Sequence, residues 1–302
     1  MNETNYHQPV LLHESINWLN IQPHGVYFDV TFGGGGHSRE ILNRIGENGK
    51  LFSFDQDTDA VANSFNAQNF TLVQSNFKFI KQFAQYFKVD PIDGILADLG
   101  VSSHQFDTSN RGFSIRFDSK LDMRMNSNQK LGAYEVVNEY SEEALSKIIF
   151  EYGEINQSKK LSAAIVEARK KKNISTTQQL CEIAAAFTIK KEEHNFFAQL
   201  FQAIRIEVNQ EIDVLKDMLL QSAQILKPGG RLVVISYHSL EDRLVKNLFK
   251  TGNLEGNGET DVFGNKNLVF KELTKKPITP GIDELRKNNR SRSAKLRVGE
   301  KI

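Results

Sequence analysis

Between residues 26 and 55 the chain reads as strand, glycine turn, helix, strand, an order that few folds accommodate. Val26-Tyr27-Phe28-Asp29-Val30 is a strand-like apolar run, four glycines fill positions 33–36, Arg39-Glu40-Ile41-Leu42 opens a helix, and Leu51-Phe52-Ser53-Phe54-Asp55 is a second strand. Glycines let backbone amides come close to a ligand, and the helix that follows turns its positive end toward it. An acid ending the second strand can accept both ribose hydroxyl protons. The arrangement predicts an adenosine-containing cofactor at a strand-to-helix turn.

The rest of the first third continues the alternation: a helix over 58–67, a strand over 70–73, a helix over 79–87 and a strand over 92–100. Such a rhythm predicts an α/β fold with a parallel sheet wrapped by helices. Beyond Asp107 a polar loop, 111–129, leads into helical patterns. Ser141 opens one helix, Ser175 with Gln178 has capping-box spacing ahead of 180–187, and one long helix is expected over 196–226. Lys227-Pro228-Gly229-Gly230 stops it, and 231–237 reads as a buried strand. A polar loop over 253–267 precedes a last strand at 268–270 and a basic tail. The expected division is a discontinuous sheet domain, 1–107 and 200–302, interrupted by a helical domain over 108–199.

With 302 residues the chain has room for about two domains. No apolar run approaches the roughly 20 residues of a membrane span, and residues 1–6 lack signal-peptide character, so a cytoplasmic protein is expected. The single cysteine, Cys181, excludes a disulfide framework and a cysteine zinc cluster; no metal site is expected. Net charge is +1, but Arg286, Lys287, Arg290, Arg292, Lys295 and Arg297 crowd the end without an acid among them.

A dinucleotide fingerprint needs a third glycine where this chain has Ser38, which weakens a pyrophosphate reading. Asp29, the glycines and Asp55 instead resemble the cofactor loop of S-adenosylmethionine methyltransferases, although Thr31 stands where that loop usually has its first glycine. Open parallel sheets bind ligands at their carboxyl strand ends, which brings 98–105 and 236–243 into view. Asp98 with Ser102 and Ser103 could orient an amine; the competing reading makes Asp98 a helix cap and the serines turn formers. Ser239 with Asp242 spells an ordinary cap, leaving His238 and Arg243 as acid-base or phosphate candidates. Arg111, Arg116 and Arg124 could grip phosphates together with the tail. Gln202, Arg205 and Asn209 share a helical stripe that is ordinarily solvated, with Arg205 retained as a candidate RNA contact.

Ordered motifs then extend the resemblance along almost the whole chain. They include His7-Gln8-Pro9-Val10-Leu11-Leu12, the glycine run through Ser38, Asp55-Gln56-Asp57, 93–103, Arg111-Gly112-Phe113-Ser114 and Leu121-Asp122-Met123-Arg124-Met125. Tyr152-Gly153-Glu154, Phe201-Gln202-Ala203-Ile204-Arg205, 238–243 and 289–297 follow. In these the chain resembles the MraW (RsmH) family of bacterial 16S ribosomal RNA cytosine-N4 methyltransferases. His104 stands where the family commonly has proline, Gly34 is variable there, and Tyr237 replaces a usual phenylalanine. The resemblance implies a Rossmann-like S-adenosylmethionine methyltransferase sheet with an inserted all-helical domain for substrate recognition. It implies cofactor contacts at Gly34, Gly35, Gly36, His37, Asp55, Phe77, Asp98 and Gln105. It also implies a decoding-centre cytosine of 16S ribosomal RNA, or the small subunit carrying it, as partner; monomer and homodimer both stay open.

Chemistry narrows the reaction independently. Carbon-5 methylation of a pyrimidine generally uses a cysteine nucleophile, and Cys181 lies in an expected helix over 178–187, away from the strand ends. An exocyclic amine needs alignment and a proton acceptor; Asp98 is the expected aligning acid and His238 the candidate acceptor. The target base must be splayed from its RNA, with Arg111, Arg124, Arg205, Arg243, Arg290 and Arg292 as candidate contacts. A nicotinamide oxidoreductase and a non-catalytic RNA-binding assembly factor are the competing classes, to be separated by NAD titration and by labelled methyl transfer.

Overall fold

A computed structural model describes residues 9–258 and 267–302. His7 and Gln8 of the first motif, and most of the polar loop expected over 253–267, lie outside the described residues. In chain order the elements are α1 (Leu12–Leu19), β1 (Val26–Asp29), α2 (Gly36–Arg44), β2 (Lys50–Asp55), α3 (Thr58–Val61), β3 (Phe70–Gln74), α4 (Ile80–Tyr86) and β4 (Ile92–Asp98). Then come α5 (Ser103–Asp107), α6 (Ala133–Glu139), α7 (Glu142–Glu151), α8 (Ser158–Lys171), α9 (Thr177–Ala185), α10 (Glu193–Asn209) and α11 (Glu211–Ile225). The last are β5 (Leu226–Ser236), α12 (Ser239–Thr251), β6 (Phe270–Glu272), α13 (Ile282–Lys287) and β7 (Lys295–Lys301).

The chain divides into two compact units, Met1–Gly100 with Ile212–Ile302, and Val101–Glu211. The divisions lie at Gly100/Val101 and at Glu211/Ile212, the start of α11, instead of the expected 107 and 200. Residue 200 falls inside α10, an unbroken helix whose hydrogen-bond ladder a domain boundary would have to cut.

In the first unit the described strands form one sheet in the order β3-β2-β1-β4-β5-β7-β6. From β3 through β5 every pairing is parallel, and β7 runs antiparallel to both β5 and β6. The α/β class and Rossmann-like sheet expected from sequence are what is observed. Buried parallel strands must be apolar on both faces, and β5 shows it: Leu232 and Val234 enter one core with Phe28, Phe54 and α11, while Val233 and Ile235 enter the other with Tyr27 and Ile41. Strand order reverses between β1 and β4, and that switch point opens a ligand crevice at the carboxyl ends.

The basic tail is not a loose arm. Residues 295–301 form β7, central in its half of the sheet, with Leu296 and Val298 buried on one face. On the other face Arg297 reaches Asp242 with Nε at 2.6 Å and Nη2 at 3.3 Å. The last strand expected at 268–270 begins instead at Phe270.

The second unit is helical around its own core, in which Val136, Leu145, Ile149, Leu161, Leu180 and Leu200 are fully or almost fully buried. Ser141 caps α7 as expected. The cap of α9 is one residue later than expected, with Thr176 and Gln179 forming the box. The long helix expected over 196–226 is broken at Gln210, whose φ of 52° ends α10 in the left-handed region. Among the described residues no helix is long and apolar enough to cross a membrane.

Candidate active site

Three acids end three strands of the sheet: Asp29 on β1, Asp55 on β2 and Asp98 on β4. Asp29 is fully buried; Ser38 donates its hydroxyl to Oδ2 at 2.5 Å, and the Ser38 and Ser53 hydroxyls lie 2.7 Å apart. Ser38, read from sequence as a missing glycine, thus fastens α2 onto β1 and β2. Burial pushes Asp29 up to about 7, with the Ser38 and Thr31 hydrogen bonds opposing the rise.

The glycine turn is shaped by backbone demands. Gly33 and Gly35 have φ of 52° and 75°, where a side chain is strained. A Cβ on Gly36 would meet the Pro9 ring at 2.1 Å, so the segment before α1 presses against the start of α2. Gly34 lies half-buried between them. Asp55 clasps the turn: Oδ2 accepts the Gly33 amide and Oδ1 the Asp57 amide, each at 2.9 Å. A carboxylate has further lone pairs, so two ribose hydroxyls can still be accepted. Burial raises Asp55 to about 6 against these hydrogen bonds. Phe77, half-buried in the turn before α4, packs on the core beneath.

Two hydrogen bonds hold Asp98, and a neutral histidine faces it. Thr31, the departure from the usual glycine, accepts the Asp98 amide on its hydroxyl at 2.7 Å. Tyr237 donates its phenol to Oδ1 at 2.7 Å. His37 places Nδ1 3.8 Å from Oδ2, while its Nε2 lies 3.2 Å from the Val10 carbonyl. Burial lowers His37 to about 4, so the ring is neutral; Nε2 carries the proton to Val10 and Nδ1 is bare. Burial raises Asp98 to about 7, with the Tyr237 hydrogen bond pulling it down and Asp29, Glu241 and Glu284 pushing it up. Asp98 is therefore no helix cap.

At the end of β5 the expected cap is displaced by one residue. His238, not Ser239, caps α12: the Glu241 amide donates to Nδ1 at 3.4 Å, and Glu241 Oε2 accepts the amides of Tyr237 and His238 at 2.9 and 3.4 Å. His238 Nε2 is buried and makes no hydrogen bond among the described residues, although Glu241 Oε1 is 3.2 Å away. Asp242 serves Arg297 instead; burial raises its carboxyl, but the charges of Arg297 and Lys295 overcome this and leave it below its ordinary value. Arg243 on α12 and Arg292 are exposed, and Arg290 is half-buried.

Within the helical unit Ser102 caps α5 and Gln105 closes the box, its Oε1 accepting the Ser102 amide at 3.0 Å. Arg111 donates to the carbonyls of Arg124 and Met125, and Arg124 grips Asp122 and the Gln129 carbonyl. The polar stripe on α10 is not solvated: Gln202 donates to the Tyr152 carbonyl, Arg205 makes two hydrogen bonds to Glu211, and Asn209 bridges Met123 and Met125. A groove of about 820 Å³ between α7 and α8 has Phe150 and Lys147 opposite Lys159 and Lys160, but Glu142 and Glu143 offset the lysines. Sequence reasoning passed over Tyr237 and Thr31 as site residues; both are positions where the chain departs from its pattern, the one signal that pointed to them.

A family model, described as the MraW methylase family, matches residues 4–302. The chain belongs to that family. A relative from Flavobacterium johnsoniae named ribosomal RNA small subunit methyltransferase H is 56% identical over 297 residues, spanning 98% of each chain. One of the same name from Bacteroides fragilis is 54% identical over 299 residues, spanning 99% of this chain and 98% of that one. Among solved structures, an rRNA methylase from Streptococcus thermophilus aligns with a TM-score of 0.44 at 11% identity, over 98% of this chain and 99% of that one. In this MraW family chain the acids and the glycine turn converge at one edge of the sheet.

Proposed function

We propose that the protein transfers a methyl group from S-adenosylmethionine to the exocyclic N4 amine of a cytosine in 16S ribosomal RNA of the small subunit. The observation that carries this reading is the pairing of Asp55, which clasps the glycine turn, with Asp98, which faces the switch point from the neighbouring end of β4. Relatives over half identical are named small subunit methyltransferases, which supports the choice of RNA.

The residues fit the cofactor. Among the described residues beyond its chain neighbours, none comes within 4 Å of where a Gly33 Cβ would sit, and Asp55 retains acceptor capacity for ribose. Bound there, the cofactor would supply an electrophilic methyl on a sulfonium. Asp55 would hold the ribose, with Gly34, Gly35, Gly36 and His37 around it. Asp98 aligns the amine and receives the proton that nitrogen must lose, for which a carboxyl near 7 is well matched at neutral pH. Neutral His37 adds no competing positive charge. His238 secures the start of α12 beside them, so His238→Ala should perturb folding of that turn more than the chemical step.

Cys181 does not suit the carbon-5 route, since burial pushes its thiol to about 11 and suppresses the thiolate. Arg111, Arg124 and Arg205 of the helical unit contribute contacts to the RNA. Exposed Arg243 and Arg292, with Arg290, take phosphates. The test is mass spectrometry of ribosomal RNA from cells lacking this chain and from complemented cells. The N4-methylcytidine signal should vanish and return; a signal unchanged by the deletion would sink the assignment.

A further inference from the structure

Tyr237 is fixed before it reaches Asp98. Its amide is held by Glu241 at 2.9 Å, and its ring lies over Gly100, where a Cβ would come within 3.3 Å and where φ is +97°. A phenol has one proton to give, and it goes to Oδ1 of Asp98 at 2.7 Å. Among the described residues Oδ2 receives no hydrogen bond; its neighbour is the bare Nδ1 of His37 at 3.8 Å.

We propose that Tyr237 is the positioning residue of the transfer: its hydroxyl clamps Oδ1 of Asp98 so that Oδ2 is the oxygen presented to the substrate amine, and it keeps that carboxylate ionised. This rests on the amine methylation proposed above. The groups around Asp98 explain the second role. Asp29 on β1, Glu241 on α12 and Glu284 on α13 all disfavour its charge, and His37 on α2 is neutral. The phenol is the contact that favours the ionised form.

Tyr237→Phe removes one oxygen and keeps the ring. With labelled S-adenosylmethionine and small ribosomal subunits isolated from cells lacking the enzyme, the acid limb of kcat should move up by about one to two pH units. Turnover should recover at alkaline pH, and cofactor affinity by calorimetry should not change. In an Asp98→Asn background the same substitution should have no further effect. An acid limb that stays in place would overturn the clamp. Wild-type protein that transfers no methyl would instead remove the proposed function. A carbon-13 titration of the Asp98 carboxyl with and without the phenol would still decide whether Tyr237 holds it: an upward move supports the clamp and an unmoved titration refutes it.

Discussion

Asp98, in the role proposed for it, would cost the fold what it gives the chemistry. Its carboxyl is raised to about 7, above the ~3.9 of an unfolded chain, so the native state holds the proton more tightly. The stability tied to this group is therefore complete below about pH 4 and is lost as pH climbs through about 7. Asp98→Asn should raise Tm at pH 8, with the gain shrinking toward pH ~4, while kcat collapses. Scanning calorimetry that shows equal Tm at both pH values would contradict a penalised buried charge. Gly35 makes the opposite demand. With φ of 75° and the Phe32 ring 2.8 Å from where a Cβ would sit, Gly35→Ala should destabilise by about 1–2 kcal/mol. It should also weaken S-adenosylmethionine binding at least tenfold by calorimetry, because the turn must shift; unaltered affinity would detach this glycine from the cofactor.

Elements reveal what could and could not be seen in the sequence. β1, β2, β4 and β5 were legible because strands buried on both faces are continuous apolar runs, the first three of them ended by acids. β7 was not: Lys-Leu-Arg-Val alternates, and its charged half drew the eye to phosphate binding, whereas Arg297 answers Asp242 inside the sheet. Asp242→Ala would strand a guanidinium that is only 7% exposed, with Glu272 4.0 Å away, and should cost ~3–5 kcal/mol by denaturant titration. The break between α10 and α11 was equally hidden, because apolar periodicity runs through Gln210, a residue with no turn signature. Gln210→Gly relieves its left-handed φ and should stabilise by about 0.5–1 kcal/mol; a loss would show that the Gln210 side chain supports the break. Both misjudged caps slipped by one residue, since Ser175/Gln178 and Thr176/Gln179 share a spacing, as do Ser239/Asp242 and His238/Glu241. Local pattern cannot choose between such pairs; the packing of the helix does. The glycine turn and its acids were readable for the same reason that they are local, while the bond from Tyr237 to Asp98 spans 139 residues of sequence.

At the scale of the molecule, each unit closes its own core, and that makes separate folding testable. Residues 101–211 expressed alone should give helical circular dichroism and one cooperative melt. Removing residues 295–302 should abolish cooperative unfolding of the sheet unit, because β7 is the strand between β5 and β6; a shortened chain that still melts cooperatively would contradict that placement. The interruption between β4 and β5 also sets a timetable for synthesis. As the chain leaves the ribosome, β4 pairs with β1 on one side, but its other edge meets no partner until all of Val101–Glu211 has been made. During that interval the nascent protein carries an unpaired parallel edge of Ile95, Leu96 and Ala97, the sort of surface that invites stray strands and holding chaperones. Early, autonomous closure of the helical unit would not shorten that interval but would leave β4 as the single unfinished edge when β5 arrives.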